Sequence, residues 1–490
     1  MDITLADLIP LLPLLITTGT VVVSMTVIGI KRDYGLTVAI TIAGLLLAAL
    51  SAAYLMPSTN LQVTPLMVVD QYSLFFTVVT CATAMFIAIL SYPYLANLDD
   101  HKEEYYLLLT IATIGAIVMV SSNHFVSTIL GLETLSMSLY GMVAYPVHVE
   151  KSARFSLEAS VKYLVLSAAA SGILLFGIAL VYAQTGTLEF TSVVNVPSIT
   201  EGLGDGFTIA ALILVFVGIA FKLSLAPFHM WTPDVYEGSP LPVTTYLATV
   251  GKAAMFVVLL RFIEASEALA FDSFILVISL VAVASILAGN LLALVQSNLK
   301  RILAYSSIAH MGYLLIAIVA SYFVQGSISV EAVTIYLVAY VIMSAGAFGV
   351  ASVVSSSEQE FNRIEDYQGL FWRSPWLAAV FTGMLLSLAG IPLTIGFIGK
   401  FYIFFAGVEA ALWVLLAVLI IGSGIGLYYY LRIVYCMLLA ADIEQGFEVS
   451  IGRNISSHAV LAFLFVLLIG LGIYPTPLVT IIETISAYIL

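Results

Sequence analysis

Leu212-Ile213-Leu214-Val215-Phe216-Val217-Gly218-Ile219-Ala220-Phe221-Lys222-Leu223-Ser224-Leu225-Ala226-Pro227-Phe228-His229 is an apolar run with a lysine, a proline and a histidine set inside it. A helix crosses the hydrocarbon of a bilayer with about 20 mostly apolar residues, and this stretch with its upstream flank is long enough. Proline removes a backbone donor and clashes with the preceding turn, so the helix should break near Pro227. A broken helix is tolerated in a membrane only where it is buried in protein or lines a watery cavity. A charged lysine at a helix centre costs about 2.5–3.5 kcal/mol on insertion scales, so Lys222 needs a functional or structural reason. The segment therefore reads as a polar site inside a membrane protein.

The rest of the chain agrees. Of 490 residues, 62% are hydrophobic and only 9% charged, and the mean hydropathy is +1.11. An ordinary soluble domain carries roughly 25% charged residues, so the whole chain belongs in lipid. Windows of about 19 residues give about fourteen spans, an all-α polytopic architecture. They fall near 8–30, 35–56, 73–95, 105–121, 124–145, 158–184, 206–229, 241–265, 273–296, 300–321, 330–354, 376–407, 411–438 and 457–487. The acidic start, Asp2 to Asp7, lacks the basic flank of a secretory signal, so the first span is expected to be retained. Lys31, Arg32, Lys102, Lys151, Arg154, Lys300, Arg301, Arg363, Arg373 and Arg453 fall in loops after odd-numbered spans or at their edges, with Arg432 near the same side. Only Arg261 sits by a loop on the opposite side. That asymmetry is the positive-inside pattern and predicts both termini outside the cytoplasm.

Lys162, Lys222, Lys252 and Lys400 are left inside spans. The twelfth span carries Gly390, Pro392, Gly396 and Gly399 before Lys400, so it should break as the seventh does. The two breaks stand five spans apart. If spans 4–8 and 9–13 are matched units, an odd helix number forces opposite insertion, giving inverted repeats. The expected organisation is a three-helix segment at 1–104, a first repeat at 105–265, a second, inverted repeat at 266–440 and a fourteenth helix at 441–490.

Glu133 is the acid placed near mid-span, and Lys222 is its expected partner; the pair could switch as protons pass or simply lock two helices. Lys252 lies among small and apolar neighbours, either a relay lysine or one bonded to an adjacent helix. Lys400 beside a break has free carbonyls at hand and suits the exit of a path. Lys162, with Glu158 four residues earlier, reads equally as a relay or a surface-proximal salt bridge. His101, His148 and His458 are in or beside loops, and His124 at a span edge. His229 and His310 are the candidates for a water path or relay, since imidazole titrates near neutral pH, although a buried histidine is often only a satisfied core residue. Tyr428-Tyr429-Tyr430 is expected to mark an aromatic belt at the end of the thirteenth helix.

Two cysteines, Cys81 and Cys436, cannot supply the four thiolates of an ordinary iron–sulfur cluster. No phosphate-binding loop, dinucleotide fingerprint, C-x-x-C-H or H-E-x-x-H is present. The chain is expected to bind no cofactor or metal and no nucleic acid, and to draw its driving energy from elsewhere. The glycines at Gly422–Gly426 read as close helix packing.

Three longer motifs carry a resemblance. Phe221-Lys222-Leu223-Ser224-Leu225-Ala226-Pro227-Phe228-His229-Met230-Trp231-Thr232-Pro233-Asp234-Val235-Tyr236 resembles the seventh-helix signature of the antiporter-like subunits of respiratory complex I. Tyr305-Ser306-Ser307-Ile308-Ala309-His310-Met311-Gly312-Tyr313 resembles that family's tenth-helix motif, and Leu388-Ala389-Gly390-Ile391-Pro392 through Gly399-Lys400-Phe401 its broken twelfth helix. The end soon after the fourteenth span, and a lysine at position 400 where subunit M has glutamate, look most like the bacterial subunit N branch. The resemblance implies a proton-translocating subunit of NADH–quinone oxidoreductase in the bacterial inner membrane, with lipid and other membrane-arm subunits as partners. FMN, iron–sulfur clusters and quinone are then expected in those other subunits. It also implies Glu133 with Lys222 as the coupling pair, Lys252 as central relay and Lys400 as terminal donor. A subunit of a multisubunit cation/proton antiporter, a ferredoxin-reduced photosynthetic relative and a purely structural scaffold remain as alternatives.

Overall fold

The computed structural model describes residues 5–58, 61–96, 98, 101–145, 153–191, 204–324, 327–357, 359–440 and 454–489; His148, Lys151 and Arg453 lie outside the described residues. Helices α1 (Leu12–Ile30), α2 (Tyr34–Leu55) and α3 (Gln71–Leu95) open the chain. An antiparallel hairpin, Leu61–Thr64 with Met67–Val69, precedes α3. Then come α4 (Lys102–Val120), α5 (Phe125–Val143), α6 (Ala153–Thr185), α7 (Gly204–Lys222) and short α8 (Trp231–Gly238). Short α9 (Leu241–Tyr246) passes through a π-helical turn, Leu247–Gly251, into α10 (Lys252–Ser266). The chain continues with α11 (Asp272–Leu294), α12 (Leu299–Phe323), α13 (Ile328–Val354), α14 (Leu370–Arg373), α15 (Pro375–Ala389), α16 (Ile395–Glu409), α17 (Trp413–Leu438), α18 (Ile455–Ile473) and α19 (Thr476–Ser486).

Among the described residues, thirteen helices are long and apolar enough to cross a membrane, counting α9 through α10 as one. The expected twelfth span is the remaining pair, α15 and α16. Burial sorts these helices. The spanning windows of α12 and α13 are wholly enclosed, whereas most of α1, α6 and α18 faces outward. A helix that touches only protein can carry hydroxyls and charges that a lipid-facing one cannot.

Both expected breaks occur. Helix α7 ends at Lys222, and residues 223–230 are irregular before α8, with Ser224 at φ +64°. Helix α15 ends at Ala389; Gly390 at φ +89° and Leu393 at φ +73° turn the chain before α16 starts. Three expectations are corrected. The fourteenth span is two helices, because the start of α19 follows Pro475 and contains Pro477. Tyr429 and Tyr430 are buried inside α17, and only Tyr428 faces outward, so the triplet is no belt. Arg261 is buried within α10 rather than beside a loop, its guanidinium bonded to both carboxylate oxygens of Asp70 at 2.6 and 2.7 Å. Lys300 stands at a span edge, as expected, at the start of α12, and is buried there.

Candidate functional site

The two helix breaks set two of the four intramembrane lysines. Lys222 is the last residue of α7, and its ammonium donates to Ser136 Oγ of α5 at 3.0 Å and Ser167 Oγ of α6 at 2.5 Å. Glu133 lies nearly one turn before Ser136 on α5, but it accepts from Ser171 Oγ at 2.7 Å instead of meeting the lysine. Ser167 and Ser171 are one turn apart on α6, so Glu133 and Lys222 are held by neighbouring serines of one helix and form no ion pair. Tyr140 adds a bond to Ser167 Oγ at 2.6 Å. Glu133 is only half-buried, at the outer face of the bundle.

A cavity of about 20 Å³, lined by Ser136, Lys222, Trp231, Leu247 and Gly251 among others, connects Lys222 to the π turn before Lys252. That volume is about the size one water needs, and Ser136 and Lys222 offer it polar partners. A π turn inserts one extra residue into a helix, a feature often met at functional sites. Here it directly precedes Lys252, whose ammonium donates to Ser307 Oγ of α12 at 2.6 Å and lies 5.8 Å from the centre of the Tyr236 ring.

From Lys252 the polar groups continue along the enclosed helices α12 and α13. Ser307 shares a 2.5 Å hydrogen bond with Tyr340. The Tyr340 ring packs 5.5 Å from His310, and His310 Nδ1 meets the Tyr336 hydroxyl at 2.5 Å. His310 Nε2 lies 3.2 Å from the Tyr430 hydroxyl, which also bonds Ser306. On its other side His310 packs 5.7 Å from Tyr313, and Lys400 sits over that same ring at 5.3 Å. Lys400 then reaches back across the second break, donating to the carbonyls of Leu388 at 3.0 Å and Ala389 at 2.8 Å. These are carbonyls that the end of α15 leaves without helical partners. Gly390 makes this seat available: a Cβ there would lie 2.8 Å from Lys400 Cδ.

The structure thus gathers Lys252, His310 and Lys400 into one line and leaves Lys222 one small cavity away from it. Two candidates stand apart. His229 is buried beside Pro227, its ring 6.5 Å from Tyr305, and neither ring nitrogen completes a hydrogen bond to a described residue. Lys162 is 42% exposed and paired with Glu158 at 2.7 Å and Asp234 at 3.0 Å, a network that Arg301 shares through Asp234. Sequence reading missed Ser136, Ser167, Ser171, Tyr336 and Tyr340. The four-residue spacing of Ser167 and Ser171 is a signal that could have found the first contacts. No group of three or more His, Cys, Asp or Glu side chains placed to hold a metal occurs among the described residues.

Residues 122–426 match the family described as NADH:quinone oxidoreductase/Mrp antiporter, TM. The chain is 45% identical over 469 residues to NADH-quinone oxidoreductase subunit N of Methylococcus capsulatus, covering 96% of this chain and 93% of that protein. It is similar to a chain in the structure of respiratory complex I from Thermus thermophilus with bound aureothin, with 31% identity, a TM-score of 0.81, and coverage of 96% of this chain and 98% of that one. A chain of the Mrp complex from Dietzia sp. DQ12-45-1b superposes with a TM-score of 0.84 at 19% identity, covering 99% and 98%, which speaks to fold alone.

Proposed function

Because the chain belongs to the antiporter-like membrane subunits of NADH–quinone oxidoreductase, respiratory complex I, we propose that it moves protons across the membrane through its line of buried lysines, driven by quinone reduction elsewhere in the complex. The observation that carries this is the run from Lys252 through Ser307, Tyr340, His310 and Tyr313 to Lys400, set between a π turn and a helix break. A purely structural lysine needs one good acceptor. This line instead supplies hydroxyls, an imidazole and amines that can each accept and release a proton, with water needed to carry it past the ring contacts at His310 and Tyr313.

Glu133 and Lys222 form the coupling end. With Glu133 held by Ser171 and Lys222 by Ser136 and Ser167, a shift of α5 against α6 would bring carboxylate and ammonium together. An opposite charge nearby favours the protonated lysine, and its withdrawal lets Lys222 release that proton. Lys400 is the terminal donor, and His310 lies on the path. His229 and Lys162 take secondary places, His229 near the first break and Lys162 at the surface network. The chain resides in the bacterial cytoplasmic membrane with both termini outside, its basic loops inward, beside a neighbouring antiporter-like subunit and small membrane subunits. FMN, iron–sulfur clusters and quinone act in partner subunits. The fold arises from two inverted five-helix units, 105–265 and 266–440.

Lys252→Ala in the assembled complex tests the reading. Membrane vesicles should retain the complex but lose coupled proton uptake and slow their quinone-linked NADH oxidation. Uptake at the full ratio of protons to NADH from normally assembled Lys252→Ala would exclude Lys252 from the path.

A further inference from the structure

The line of lysines has no described opening to the face that carries the basic loops, yet an open cleft of about 670 Å³ lies on that face, where the start of α6, the α8–α9 corner, the start of α12, Ser357 and residues 359–363 meet. Tyr94, Ser156, Glu237, Asn298, Glu360 and Arg363 are among its walls. A second cleft of about 180 Å³ adjoins it, sharing Phe155, Glu237 and Gly238, and carries Lys162 and Asp234. The mouth is thus wide, wet and ringed by charges of both signs.

Against its floor, behind the lining residues Glu360 and Ser239, stands Lys300, only 1% exposed. Its ammonium donates to Glu360 Oε2 at 2.5 Å and to the Ser239 carbonyl at 2.8 Å. Glu360 Oε1 accepts from the Leu241 amide at 3.0 Å and from the Tyr94 hydroxyl. Beyond this pair the polar groups lead inward. Ser239 Oγ and Thr244 Oγ1 are 2.7 Å apart, and both bond the carbonyl of Tyr236, whose ring lies beneath Lys252. Lys300 and Ser307 are two turns apart on one face of α12, and Ser307 holds Lys252. One helix face therefore carries the floor of the cleft at one end and the acceptor of the central lysine at the other.

We propose that this cleft is the mouth through which protons reach Lys252 from the basic-loop face, with the Glu360–Lys300 pair as its gate; the inference rests on the proton-translocation reading above. A proton from water in the cleft adds to the Glu360 carboxylate, and the neutral acid loses its charge-assisted bond to Lys300. The proton then passes over the Ser239 and Thr244 hydroxyls, each accepting one and releasing one, and by water across the remaining gap to the neutral amine of Lys252. Glu360 returns to carboxylate and recaptures Lys300. In the closed pair the fixed ammonium repels other cations from the floor. The charged and titratable groups facing Glu360 are Lys300 of α12, Tyr94 of α3, Tyr367, and Glu237 and Arg363 on the walls.

Glu360 also ties α3, α9 and α12 together, so its variants must separate gating from stapling. Glu360→Gln keeps the side-chain length, removes the titrating oxygen and leaves one acceptor where the carboxylate has two. In membrane vesicles containing the assembled complex, it should lose most coupled proton uptake, and Glu360→Asp should recover part of it. Uptake by Glu360→Gln equal to the unmodified complex overturns the gate while leaving the lysine relay intact. Full uptake by Lys252→Ala would instead sink the relay itself, so the two failures are distinguishable. If Glu360→Gln does not assemble, Gln359→Cys on the exposed rim replaces it, in a Cys436→Ser background that leaves only buried Cys81. A bulky membrane-impermeant maleimide added from the basic-loop face should then block uptake. Unchanged uptake after complete labelling overturns the mouth.

Discussion

Replacing Gly390 with alanine tests the seat of Lys400 without touching a titratable group. Gly390 sits at φ +89°, a conformation that costs an L-residue roughly 1–2 kcal/mol. Its new Cβ would meet Lys400 at Cδ 2.8 Å, Nζ 3.2 Å and Cε 3.3 Å, so the lysine chain has to swing away. That swing draws Nζ off the carbonyls of Leu388 and Ala389, now 3.0 and 2.8 Å away. Hydrogen bonds to a charged group are worth about 1.5–3 kcal/mol each, and losing even one in the loaded state is a roughly tenfold or greater effect on a transfer rate. The expected result is an assembled complex whose proton uptake, followed by quenching of a pH-sensitive dye in inverted vesicles, falls about tenfold or more. Gly172→Ala is the control, because a Cβ there meets nothing within 4 Å; it should transport normally. Equal uptake by Gly390→Ala and Gly172→Ala, at equal assembly, would refute the idea that the α15 carbonyls position Lys400.

Further outcomes are expected. Ser307→Ala removes the acceptor of Lys252 and should slow uptake about tenfold while assembly, scored on native gels, is unchanged. Arg261→Met leaves Asp70 buried and unpaired, a loss of about 3–5 kcal/mol that lowers the thermal midpoint. Adding Asp70→Asn should restore most of it, since asparagine can still cap α3; a double variant no better than the single would contradict this. Burial pushes the Asp234 carboxyl up, but hydrogen bonds from Arg301 and Lys162 outweigh it and hold the group below the usual carboxylate range. A lowered folded value means the clasp is intact at neutral pH and lost as pH falls below about 4. Hydrogen exchange in α8 should therefore be flat near neutrality and rise under acid, and Asp234→Asn should abolish that acid step.

Much of this was readable from residues alone, for definite reasons. The spans and both breaks follow from hydropathy and from proline and glycine placement, which act locally. Lys222, Lys252 and Lys400 stood out because a charge inside an apolar run is conspicuous. Their contacts were silent. Serines in membrane helices usually bond the preceding turn, so Ser167 and Ser171 look ordinary until other helices present a lysine and a glutamate to them. The Glu133–Lys222 pairing was inferred from residue type, whereas the two side chains are held by separate serines of α6. The π turn before Lys252 has no composition of its own. Arg261 seemed a loop residue because its partner Asp70 lies 191 residues away. The tyrosine triplet misled for the same reason: Tyr429 and Tyr430 turn inward to Asn290 and His310, across helices, where Gly422 lets α17 come close to Asn290 and Tyr313.

The complete enclosure of α12 and α13 bears on how the protein is made. Helix α12 carries Lys300, Arg301 and His310, and among its neighbours are α16 and α17, which leave the ribosome after it. Until α17 has been synthesised, His310 lacks the Tyr430 hydroxyl and Tyr313 lacks the cover of Gly422. Insertion therefore has to hold a half-dressed polar helix near the translocon while more than a hundred residues follow, roughly ten seconds at bacterial elongation rates. A chain stopped before α17 should be retained there or handed to proteolysis, and quality control would sense the missing lid rather than a missing span.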